Sequence, residues 1–228
     1  MAKKPPEQGP LGILGGTFDP IHLAHLRLAE EALDQLDLAR VRLIPAGHPP
    51  HRQTPHSTSA HRLRMVELAA ADNPRLEVDP AEVLAPVASY TVPTLERLRA
   101  ELGPERPLVL LMGTDAFLGL PSWHRWEALF ELAHVAVASR PGHAFEPASW
   151  PADLAGQWKQ RLGSKEDLAS APSGRIVSFA ITPMDISATA IRASLARHES
   201  PRYLLPEAVV GYIALHHLYS DAAPSGRG

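Results

Sequence analysis

The sequence predicts an α/β protein: a parallel sheet with helices on both faces, in a single domain with a small C-terminal helical part. Three observations carry this. Runs such as LVLLM (108–112) and VAVA (135–138) are apolar at every position, as strands buried on both faces require. Stretches with apolar residues at helical spacing separate these runs, and alternation of that kind builds a parallel sheet. The chain then closes with two consecutive helical stretches, ISATAIRASLARH (186–198) and PEAVVGYIALHHLY (206–219).

Taken in order, LGIL (11–14) is the first strand, and HLAHLRLAEEALDQL (22–36) places Leu26, Ala29, Leu33 and Leu36 on one helical face. VRLIPA (41–46) is a second strand, followed by a loop rich in Pro and His over 47–58. A helix from Ser59 carries Leu63, Val66 and Ala70, and RLEVD (75–79) is a short strand. Thr91 is predicted to cap the next helix, with Pro93 in its first turn, Leu95, Leu98 and Leu102 as its stripe and Gly103 as its stop. LVLLM follows as a buried strand, and PSWHRWEALFELA (121–133) reads as one helix capped by Ser122. After the VAVA strand, residues 141–174 are irregular around one helix near 153–162, and RIVSFAI (175–181) is the last strand. Residues 1–10 and 221–228 read as disordered tails around a domain spanning 11–220.

The 228 residues are 45% hydrophobic and 21% charged, which suits one globular domain with a substantial core. A net charge of −3 offers no basic surface for nucleic acid. The chain has no cysteine, which excludes disulfides, thiolate metal sites and thiol nucleophiles and suits a reducing compartment. MAKKPPEQGP lacks the apolar segment of a signal peptide, and no apolar run nears the ~20 residues a bilayer needs, so a cytoplasmic location with no membrane partner is expected.

The stretch GILGGTFDPIHLAHLRL (12–28) carries the first chemistry. Gly15 and Gly16 let backbone come close to a ligand, and the helix that follows aims free N–H groups into the same space. His22 and His25, three residues apart, would share a face and could donate to phosphate oxygens. Rival motifs fail: TFDP after the glycines breaks G-x-G-x-x-G, no G-x-x-x-x-G-K-[ST] exists, and the histidines lack the H-E-x-x-H glutamate. In ISATAIR (186–192), Ser187 is a good N-cap, Thr189 sits in the first turn and Arg192 lies one turn further on.

GGTFDPIHLAH and ISATAIR together resemble the two signatures of the nucleotidyltransferase superfamily, with Ala24 where that superfamily usually has glycine. The resemblance implies a Rossmann-like sheet. It implies that His22, His25 and Arg192 are catalytic, and that Gly15, Gly16, Thr17, Phe18, Gly113, Asp115, Ile186, Ser187 and Thr189 bind ATP. It also implies that Mg²⁺ enters on the ATP phosphates, with no metal held by the protein itself.

Between the signatures, PAGHPPHR (45–52), HRLRM (61–65), SYTVPTL (89–95), GTDAF (113–117), LPSWHRWEAL (120–129) and SRPG (139–142) stand in order. That order resembles the bacterial nicotinate-nucleotide adenylyltransferases over residues 11 to 219. The resemblance implies ATP and nicotinate mononucleotide as substrates, with Arg52, Tyr90, Thr91, Trp123 and Arg140 binding the mononucleotide. Arg52 stands where that family usually has lysine, which keeps the charge but changes a point donor into a planar fork. Trp123 offers a face for a pyridine ring, and the helix start at Tyr90 and Thr91 offers amides to its carboxylate.

With no thiol and no G-x-S-x-G serine, the expected mechanism is in-line displacement on the α-phosphorus of ATP. Another transferase of the superfamily, such as a pantetheine-phosphate adenylyltransferase or a cytidylyltransferase, and a non-catalytic nucleotide-binding module are the alternatives. Self-association into a homo-oligomer is left open.

Overall fold

The computed structural model describes residues 9–49, 54–139 and 145–220. Arg52, Arg140 and the expected tails over 1–8 and 221–228 therefore lie outside the described residues. Pro10, assigned above to a tail, is buried, and its carbonyl accepts the Ala39 N–H at 2.9 Å, so it belongs to the folded body.

The strands are β1 (Leu11–Gly16), β2 (Arg40–Pro45), β3 (Leu76–Val78), β4 (Leu108–Gly113), β5 (His134–Ser139) and β6 (Ile176–Ala180). They form one sheet in the order β3-β2-β1-β4-β5-β6, every pair parallel. Helices α1 (Leu23–Gln35), α2 (Ser59–Ala70), α3 (Ala81–Leu84) and α4 (Thr91–Leu102) fall in the first half. Helices α5 (Thr114–Leu118), α6 (Leu129–Leu132), α7 (Ala152–Arg161), α8 (Ala188–Ala196) and α9 (Glu207–Leu215) follow.

Side chains of a strand alternate between faces, so the uniformly apolar strands feed two cores. Val109, Leu111, Ala136 and Val177 pack with Leu33 of α1, Met65 of α2, Ile191 of α8 and Ile213 of α9. Leu108, Leu110, Met112 and Val135 pack with Leu95 of α4, Phe117 of α5, Phe130 of α6 and Trp158 of α7. Helices on both faces are what the continuous apolar runs predicted.

The predicted helix over 121–133 is not continuous. It divides into 3-10 turns at Leu120–Ser122 and Trp126–Ala128 before α6. Arg125 between them adopts φ 56°, a left-handed conformation that no helix interior accommodates. Ser122 ends the first turn instead of capping a helix, and its hydroxyl donates to the Gly119 carbonyl at 2.7 Å. At α4 the cap is Tyr90, one residue before the predicted Thr91.

The chain winds outward from β1 to β3, then returns to place β4 on the other side of β1. Such a reversal opens a crevice at the carboxyl ends of the two central strands. Gly15 and Gly16 end β1 and Gly113 ends β4 at that crevice.

Candidate active site

A cavity of about 1370 Å³ occupies the crevice. Gly15, Gly16, Thr17, Phe18, His22 and His25 line it from the β1–α1 turn. Gly113 and Asp115 line it from the end of β4, and Ile186, Ser187, Thr189 and Arg192 from the start of α8. Every residue to which the resemblance gave a catalytic or ATP-binding role thus faces one space. Tyr90, Thr91 and Trp123 are not among the residues lining it. Tyr90 meets the ring of His124 at 4.9 Å, so the α4 start and the Trp123 turn adjoin, and Trp123 rests half-buried on the core beneath α4 and α5.

The two glycines have different jobs. A Cβ on Gly16 would lie 2.8 Å from the Phe18 ring, which is 2% exposed and held by a left-handed backbone at φ 50°. A Cβ on Gly15 would meet nothing within 4 Å, so its hydrogen keeps cavity space clear. Gly16 makes room for protein and Gly15 for whatever enters.

His22 is the N-cap of α1, just outside the helix on which the sequence placed it. Its backbone N–H donates to Nδ1 of His25 at 3.3 Å, which leaves the other ring nitrogen of His25 as the donor of a neutral imidazole. The two rings stack at 3.7 Å between centroids, and Phe18 meets His25 edge-on at 5.0 Å. Burial pushes the His22 pKa down to about 4, so its ring is neutral at neutral pH. Nδ1 of His22 is buried with no hydrogen-bond partner among the described residues.

At the other wall, the Ser187 hydroxyl caps α8 by accepting the Ala190 N–H at 3.2 Å, as predicted. Arg192 donates through Nη2 to the Thr189 hydroxyl at 3.3 Å and through Nη1 to the Asp19 carbonyl at 2.7 Å. The positive ends of α1 and α8 and the Arg192 guanidinium therefore converge on one volume, an arrangement whose charge suits an anion.

Residues that local pattern could not single out hold these walls. Arg62, 1% exposed, donates to the carbonyls of Thr17, Ala46 and Gly47 at 2.7, 2.5 and 2.9 Å. Glu31 of α1 accepts from the Thr182 amide at 2.7 Å and hydroxyl at 2.5 Å, on the way from β6 to α8. Burial raises the Glu31 pKa, but hydrogen bonds from Thr182 and Arg27 outweigh it and leave the carboxyl below its ordinary range. Phe145, Glu146, Ser149 and Trp150, from the segment the sequence left without a role, also line the cavity. Trp150 is anchored edge-on to Phe117 and Trp158 at 5.6 and 5.2 Å. The sequence signal was two aromatics, Phe145 and Trp150, in an otherwise Pro-rich stretch.

A sheet of this order, with two helix starts and a cationic side chain around a cavity at its switch point, defines a nucleotidyltransferase fold. The chain belongs to the cytidylyltransferase-like family, which matches residues 13–194. Within that class it belongs with the nicotinate-nucleotide adenylyltransferases. A Dechloromonas aromatica (strain RCB) protein described as "Probable nicotinate-nucleotide adenylyltransferase" is 55% identical over 214 residues, covering 93% of this chain and 99% of the relative. A Laribacter hongkongensis (strain HLHK9) protein of the same description is 48% identical over 216 residues, covering 94% and 96%. The solved nicotinic acid mononucleotide adenylyltransferase of Plasmodium falciparum, complexed with NaAD, shares the fold at a TM-score of 0.68. It is 15% identical, with 92% of this chain and 97% of that one covered.

Proposed function

We infer that the chain transfers the adenylyl group of ATP to nicotinate mononucleotide, giving nicotinate adenine dinucleotide (deamido-NAD) and pyrophosphate, a step of NAD biosynthesis. The observation that carries this is the convergence of His22, His25, Thr189 and Arg192 on one cavity from two helix starts, in a chain 55% identical to a relative described as such an enzyme.

The acceptor's 5′-phosphate oxygen attacks the α-phosphorus of ATP while the bond to pyrophosphate breaks on the opposite side. The attacking phosphate is already ionised at neutral pH, so no general base is needed. Rate enhancement comes from alignment and from charge neutralisation. The ring N–H of His25 and the α1 amides face the transferring phosphate, and Arg192 with Thr189 holds the departing pyrophosphate. The neutral ring of His22 can approach the same phosphate as His25 without bringing a second positive charge beside it.

Among the described residues no group of three or more His, Asp or Glu side chains is placed to cage a metal. In this reading Mg²⁺ would arrive with the triphosphate and would supply positive charge to it. Tyr90, Thr91 and Trp123 form the acceptor side, where first-turn amides of α4 suit a carboxylate and disfavour an amide. No helix among the described residues is long and apolar enough to cross a membrane, and a cytoplasmic location accompanies the reading, supported by the cysteine-free composition.

The test is pyrophosphate release with ATP and a panel of nicotinate mononucleotide, nicotinamide mononucleotide and phosphopantetheine. Release with the first well above the others is expected. Release led by phosphopantetheine, or none with any acceptor, would remove the assignment.

A further inference from the structure

Asp19 is buried at 5% exposure, and its carboxylate collects three donors. Oδ2 accepts the His56 amide at 2.7 Å. Oδ1 accepts the Ser57 hydroxyl at 2.6 Å and the Tyr219 hydroxyl at 2.7 Å. The two hydroxyls lie 3.1 Å apart. The backbone carbonyl of the same residue takes the Arg192 guanidinium. One residue of the β1–α1 turn thus joins the loop before α2, the start of α8 and the segment after α9.

Tyr219 reaches this hub at a cost. His217 and Tyr219 both adopt left-handed conformations, φ 52° and 62°. The first closes a Schellman turn, with the Leu218 N–H on the Ile213 carbonyl at 3.1 Å. The second has a bulky side chain in a region that such residues seldom occupy, and strain of that kind persists where the surroundings over-determine it. Its hydroxyl on Asp19, 200 residues away in sequence, and its ring packed on the apolar core are the contacts that do so.

We propose that Tyr219 is a positioning residue for adenylyl transfer: with Ser57 it fixes Asp19, and Asp19 through its carbonyl sets where the Arg192 guanidinium stands. This rests on the adenylyl-transfer reading. Arg192 presents a rigid planar fork, so a shift of its anchoring carbonyl moves both donor pairs relative to the triphosphate. A misplacement of ~1 Å at a reacting group can cost up to ~10²-fold in rate. Because the polyphosphate side is what moves, the effect belongs to ATP and not to the acceptor.

The experiment is a double-mutant cycle in the full chain: wild type, Tyr219→Phe, Arg192→Ala and the double variant, with Ser57→Ala as a second removal of a hydroxyl from Oδ1. Tyr219→Phe is expected to lower kcat/KM for ATP roughly tenfold while KM for nicotinate mononucleotide stays within about twofold. In the Arg192→Ala background the same change should have an effect below about twofold, since coupled residues are not additive. Equal factors in both backgrounds, or unchanged ATP kinetics in Tyr219→Phe, would overturn the proposal. If Tyr219→Phe fails to fold, Ser57→Ala decides, and wild-type kcat/KM for ATP in that variant overturns it. A wild-type enzyme that releases no pyrophosphate sinks the adenylyl-transfer reading alone. The coupling is then read from ATP affinity by calorimetry in the same proteins, with additive effects counting against it.

Discussion

Arg192 donates to the Asp19 carbonyl at 2.7 Å across 173 residues of sequence, fastening the start of α8 to the turn after β1. The same guanidinium keeps a bond to Thr189 one turn back along its helix. Both signatures seen in the sequence thus meet at a single side chain.

Arg192→Ala is expected to lower turnover by roughly 10²–10³, the penalty for removing a donor aimed at developing charge, with the protein still folded but melting somewhat lower, since the Asp19 carbonyl loses its donor. Arg192→Lys should recover only part of this, since a point charge cannot hold Asp19 and a phosphate as the fork does. Steady-state kinetics beside thermal melts of all three proteins decide it.

His22 makes stability depend on pH in a defined window. Its folded pKa is about 4, against an ordinary 6.5. Between these values the unfolded chain binds more protons, so stability rises with pH there. The contribution is complete above about 6.5 and is lost as pH falls through about 4, a total of about 3 kcal/mol. Melting temperatures across this range should therefore fall less steeply on acidification for His22→Asn than for wild type. The same variant should lose roughly 10²-fold in turnover at neutral pH.

The adjacent glycines should respond oppositely to one methyl group. Gly16→Ala presses on the buried Phe18 ring and is expected to cost about 1–3 kcal/mol, as overpacking does, visible as a lower melting temperature. Gly15→Ala meets no protein atom within 4 Å, so it should melt normally while KM for ATP rises. Identical behaviour of the two would contradict this division of roles.

Arg62→Met should unfold more easily by about 3 kcal/mol, because three carbonyls lose a charged donor in a buried site. Denaturant titration measures this directly. Arg62→Lys should fall between, as one ammonium cannot span Thr17, Ala46 and Gly47 with the reach of a guanidinium.

Much of the fold was legible because its rules are local. LVLLM could only be a strand buried on both faces, and Leu95 and Leu98 fell on the helical face predicted for them, both fully buried. The Ser187 cap follows from a hydroxyl placed beside a helix start. The continuous helix over 121–133 was misread because nothing in PSWHRWEAL announces that Arg125 turns left-handed. In the site, glycines, histidines and the S-x-T-x-x-R spacing were visible, since each depends on neighbours a few residues apart. The roles of Arg62, Glu31 and Asp19 were not, even where HRLRM and GGTFDP had been seen, since a charged residue in a helix or turn looks solvated until its distant partners are known.

The sequence by itself determined the alternating strands and helices, the two helix starts that line one cavity and the family they mark. Only the tertiary structure decided that Asp19, Ser57, Arg192 and Tyr219 share one hydrogen-bonded cluster, and that Trp150 looks into the same cavity as His22. Side-chain periodicity and capping act over one helical turn or less. Which distant segments touch depends on the order in which the strands are laid into the sheet, and no short stretch of residues encodes that.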